Sequence, residues 1–111
     1  MSEQFLLILN TCPDKETAIQ VANTLVSKRL AACVNILPGL TSVYHWKGQI
    51  EASEEHLLLI KSTQAAFDEV EAAICDAHPY ELPEVVAVPL VAGLELYLSW
   101  IGDNVVTGTN S

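Results

Sequence analysis

Cationic side chains are scarce in this 111-residue chain. Five Lys and Arg stand against 14 Asp and Glu, giving a net charge of −9. A nucleic-acid partner needs a basic stripe to neutralise phosphates, and none is present, so that class is set aside. Long hydrophobic runs are missing too. The longest near the start, Phe5-Leu6-Leu7-Ile8-Leu9, is too short for a secretory core or a membrane span, and Met1-Ser2-Glu3-Gln4 carries no basic lead-in. Three cysteines, Cys12, Cys33 and Cys75, form no CxxC pair and no zinc-finger spacing, which points to reduced thiols and a cytoplasmic chain. Five dispersed glycines make neither a GxGxxG turn nor a phosphate loop. His45, His56 and His78 form no HxH or HxxxH pair, so any metal site would have to be assembled in three dimensions. No repeat of fixed period is visible.

What the chain has is apolar residues. Half of its positions are hydrophobic and only 17% charged. For a chain that can form one core but not two, this predicts apolar surface buried between copies, hence a homo-oligomer. The run Phe5–Leu9 reads as a strand. Asp14 then caps a helix whose apolar face is Ala18, Val21, Ala22, Leu25 and Val26, ending near Lys28-Arg29. Residues 31–37 read as a second strand interrupted by Pro38-Gly39. Leu40–Trp46 resumes, Lys47-Gly48 reverses the chain, and a return strand runs to Lys61. Ser62 or Thr63 is expected to cap a second helix with Phe67, Val70, Ile74 and Ala77 on its inner face. Residues 85–90 give a fourth strand, which Pro89 confines to an edge, and 94–101 a short closing helix. The order βαββαβ predicts an α+β, ferredoxin-like sandwich: one antiparallel sheet with both main helices on one face. Residues 1–103 form this single domain and 104–111 a polar tail.

The stretch His78-Pro79-Tyr80-Glu81-Leu82-Pro83-Glu84 concentrates the chemistry. Two prolines four apart stiffen it and prevent helix, while it carries an imidazole, a phenol and two carboxylates. Tyr44, Trp46, Tyr80, Tyr97 and Trp100 are candidates to line a cleft with Lys61, Glu55 and Glu84. The plainer alternative makes them core and interface anchors, with Trp46 and Trp100 at an interface. Lys61, closing an apolar strand, is expected to pair with a carboxylate if buried. Cys12 sits before a helix, yet no pattern ties a histidine to it. Nucleophilic catalysis ranks last and the chain reads as a non-enzyme.

Several ordered blocks together resemble the CutA divalent-cation tolerance proteins over nearly the whole length. They are Thr11-Cys12-Pro13-Asp14, Arg29 to Ile36, Ser42 to Gly48, Glu54-Glu55 leading to Ile60-Lys61-Ser62, His78 to Glu84, and Tyr97-Leu98-Ser99-Trp100. The resemblance implies a homotrimer built like the PII-type signalling proteins, cytoplasmic and associated with copper or another divalent cation. Its copper-binding members have a cysteine where this chain has Asn10, and a pair of histidines where this chain has Ala77-His78. His78 is therefore the expected metal residue. The PII likeness also makes an inter-subunit cleft lined by Tyr44, Trp46, Lys61, Tyr80, Glu84 and Trp100 the expected small-molecule site, in a chain with neither nucleic-acid nor membrane partners.

Overall fold

The structure is a computed structural model and describes residues 3–106. Seven elements follow in order: β1 (Phe5–Cys12), α1 (Lys15–Ser27), β2 (Cys33–Trp46), β3 (Gln49–Thr63), α2 (Phe67–Ala77), β4 (Val86–Pro89) and α3 (Glu95–Asp103). The strands form one antiparallel sheet in the order β2-β3-β1-β4, so the ferredoxin-like βαββαβ fold with an added C-terminal helix is present. No described helix is long and apolar enough to cross a membrane.

Period-two alternation sorts the apolar strands into two faces. Leu6, Ile8, Leu58 and Ile60 point to the core, where they meet Val21 and Leu25 of α1, Val70 and Ile74 of α2, and Ile101 of α3. Leu7, Leu9, Leu57 and Leu59 point the other way and are half-buried. On β4 their neighbours Val86 and Val88 are 49% and 46% exposed.

Helix α1 starts as expected: the Asp14 carboxylate accepts the Thr17 N–H at 2.7 Å. Its buried face is Ala18, Val21, Ala22 and Leu25. Val26, expected on it, is exposed, because one further step of about 100° carries it past the stripe. The expected cap of α2 is corrected. Ser62 donates instead to Leu30 O (2.6 Å), and Thr63 Oγ1 accepts the N–H of Ala66 (3.3 Å), stabilising a turn before the helix opens at Phe67. His78 ends α2 in extended geometry, as a residue before proline must.

Pro38-Gly39 does not interrupt β2. Leu37 pairs with Leu57 and Leu40 with Glu55, so two residues face one and the strand continues through a bulge at Gly39 (φ 80°). At the far end Lys47 and Gly48 both take positive φ, the two-residue turn that a twisted hairpin favours. The β2–β3 hairpin is long, and the molecule measures 46 × 27 × 23 Å. Beyond α3, Val105 is buried and the Val106 N–H bonds to Arg29 O (2.9 Å). Packing thus extends past residue 103, where the tail was expected to begin, and residues 107–111 lie outside the described residues.

Candidate functional site

Three hydrogen bonds stitch the proline-braced connector to the sheet. At its start, the Nε2 of His78, whose side chain is only 8% exposed, lies 2.7 Å from Thr11 O, and its Nδ1 receives the Tyr80 N–H at 3.2 Å. Those partners fix the neutral Nε2–H tautomer, because a carbonyl only accepts and an amide N–H only donates. At its end, Asn10 Nδ2 donates to Glu84 O at 2.8 Å, and Asn10 Oδ1 receives the Cys12 thiol at 3.3 Å. Between them, the Tyr80 hydroxyl donates to Glu55 Oε2 at 2.6 Å. Glu55 is 6% exposed, and its carboxylate has no other hydrogen bond among the described residues.

Connector and hairpin arm enclose a cleft of about 560 Å³, lined by Thr11, Tyr44, His45, Trp46, Glu55, Tyr80, Glu81, Leu82 and Glu84 among others. That volume suits a small organic molecule. The Lys47 ammonium lies 3.9 Å from Glu81, linking the arm's turn to the connector across exposed side chains. Tyr44 Oη and Ser53 Oγ share a hydrogen bond of 3.3 Å along the arm. Burial, followed by the Glu55 carboxylate that accepts its proton, pushes the Tyr80 phenol well above the ordinary tyrosine range. Burial, with Asp14 and Glu55 nearby, pushes the Cys12 thiol up to about 12. At neutral pH Cys12 is a protonated packing residue rather than a nucleophile.

Of the six residues expected to line an inter-subunit cleft, Tyr44, Trp46, Tyr80 and Glu84 line this cleft within a single subunit. Lys61 and Trp100 do not. Lys61 is the register partner of Cys33, against which Tyr97 packs, and Trp100 stacks on Tyr97 with ring centres 5.5 Å apart. Both therefore belong to another part of the subunit. Lys61 donates to Asn35 Oδ1 rather than to the carboxylate expected for it.

His78 is where the sequence placed it, on the connector, but both of its nitrogens are engaged inside the fold. No group of three or more His, Cys, Asp and Glu side chains that could hold a metal occurs among the described residues. The latching role of Asn10 was not foreseen. Its signal was a polar amide within an apolar strand, which when buried needs a partner.

A family model for the CutA1 divalent ion tolerance protein matches residues 6–104. The chain belongs to the CutA family. It is 46% identical to the divalent-cation tolerance protein CutA of Thermus thermophilus over 98 residues, covering 88% of this chain and 95% of that one. It is 38% identical to the chloroplastic CutA of Arabidopsis thaliana, covering 86% of this chain but spanning only 53% of that longer protein. Among solved structures, CutA1 of a psychrotrophic Shewanella superposes with a TM-score of 0.91 at 38% identity, covering 96% of this chain and all of that one. The CutA of Archaeoglobus fulgidus, described as periplasmic, superposes at 0.88 with 37% identity, covering 95% of this chain and all of that one. The matched range contains every residue of the CutA-type connector and of the cleft described above.

Proposed function

We propose that this CutA-family chain acts without catalysis, as a cytoplasmic homotrimer that binds a small molecule in the cleft between hairpin arm and connector. Its part in divalent-cation tolerance runs through occupancy of that cleft. The observation that carries this reading is the hydrogen bond between buried Glu55 and half-buried Tyr80 at the wall of a sizeable cleft. Tyr80 fills one Glu55 oxygen and the other is open to solvent, since among the described residues the only fully buried side-chain polar atom without a partner is His56 Nδ1. The trimer is supported by the half-buried Leu7, Leu9, Leu57 and Leu59 beside the exposed Val86 and Val88. An apolar sheet face of that extent calls for a cover, and a symmetric second and third copy are the economical one. Three free thiols favour a reducing compartment. Light scattering should return three times the mass of the chain, and a monomer at micromolar concentration would remove the trimer. Thermal-shift screening against small metabolites should find compounds that also perturb Trp46, and a broad panel without one would remove the cleft reading.

Direct copper binding at His78 is the second reading, favoured by the divalent-cation names of the relatives. It requires the ring to release Thr11 O or the Tyr80 N–H. Calorimetric titration with copper decides it: a site lost in His78→Ala supports chelation there, and equal affinity in the variant removes it.

A further inference from the structure

We infer that the cleft selects an organic cation, an ammonium carried on an apolar or aromatic body, with Glu55 as the carboxylate that receives it. This rests on the reading of the cleft as a ligand site. Three features combine. First, Glu55 is nearly sealed from solvent, and the Tyr80 hydroxyl occupies only Oε2, leaving Oε1 to accept from an ammonium N–H. Second, the walls include Tyr44, Trp46 and Tyr80, whose ring faces attract cations and stack on apolar groups. Third, Glu81 and Glu84 add negative charge at the lining, and Lys47, the cation on the adjoining turn, already rests against Glu81. The chain's net charge of −9 adds a field of the same sign.

The same features disfavour the alternatives. An anion would meet Glu55, and no Lys or Arg is among the described residues that line the cleft. A divalent metal asks for several oxygen or nitrogen ligands converging on one point, and no such group exists among the described residues. Aromatic walls offer a hard ion little but suit a diffuse, weakly hydrated cation. At about 560 Å³ the cleft is also far larger than a metal needs and has ample room for an amine carried on a ring.

Three probes of one shape separate the possibilities: benzylammonium, benzyl alcohol and benzoate. Each is titrated into the full chain while the Trp46 indole and Tyr80 amide resonances are followed by NMR. Benzylammonium should move both saturably. Benzyl alcohol should bind roughly tenfold more weakly, the scale of one charge-assisted hydrogen bond, and benzoate more weakly still. Glu55→Gln should lower amine affinity by a similar factor and leave the alcohol unchanged. If the alcohol or benzoate binds as well as the amine, the cation inference fails while the cleft reading survives. If none of the three moves either resonance, the cation inference fails, and the metabolite panel decides the cleft reading separately. Undiminished amine binding by a folded Glu55→Gln protein would overturn the role of Glu55. Should that variant not fold, the three-probe comparison on the unmodified chain still decides.

Discussion

On the helix-covered face of the sheet, Ile8, Leu58 and Ile60 are sealed from solvent. One residue along the same strands, Leu7, Leu9 and Leu59 are half-buried. The two sets are alike in chemistry and differ only in parity. The first set is closed by side chains of this subunit, whereas the second faces away from both main helices. A continuous apolar strand in a small domain thus serves two purposes at once, and which residue serves which is set by the pleat.

The sharpest way to separate the faces is truncation. Ile8→Ala should cost about 2–5 kcal/mol in denaturant unfolding, as expected for a cavity in a sealed core. Leu9→Ala, its neighbour on the other face, should act chiefly on assembly, read by light scattering on dilution. Equal effects on both properties would erase the distinction between the faces. His78→Ala comes next. It strands Thr11 O and the Tyr80 N–H, so a loss of about 1–3 kcal/mol is expected in metal-free solution, where a purely metal-binding histidine would leave stability untouched.

A smaller effect appears at alkaline pH. The Cys12 thiol ordinarily titrates near 9 and in the fold near 12, so folding favours its protonated form. The stability this lends is complete below pH 9 and drains away as pH rises toward 12. Tyr80, also raised, works in the same direction. Cys12→Ala should therefore flatten the decline of melting temperature across that window. Smallest of all is Asp14→Ala at the start of α1. The Thr17 N–H holds the Asp14 carboxyl below its usual range, so its contribution is present above about pH 4 and lost as pH falls further. Melting temperatures of variant and parent should converge in acid.

The elements and their order were legible because each carried its own period. The i, i+3, i+4 spacing marked Ala18, Val21, Ala22 and Leu25, and the turn chemistry of Lys47-Gly48 fixed the hairpin. Pro38-Gly39 was misread because a bulge and a break share the same residues. Only the partner strand, with Leu57 and Glu55 in register, distinguishes them. At the site, the aromatic residues and Glu84 could be nominated from composition. The sorting of Lys61 and Trp100 away from them could not, since it depends on where β2 and α3 lie. Asn10 and His78 looked like remnants of a metal site, yet their hydrogen bonds run to backbone atoms distant in sequence, at Glu84 and Thr11, which no local pattern announces.

The bulge at Gly39 carries one more consequence. By spending two residues against one, it sets the phase between the half of β2 that closes the core and the half that holds Tyr44 and Trp46 over the cleft. It works as the gear tooth between scaffold and site. Deleting Gly39 would leave the composition of the arm almost intact, yet it would either turn Tyr44 and Trp46 to the opposite side or pull the Lys47-Gly48 turn out of register. The protein would then retain its fold and lose its aperture, a failure visible in ligand binding before it is visible in melting.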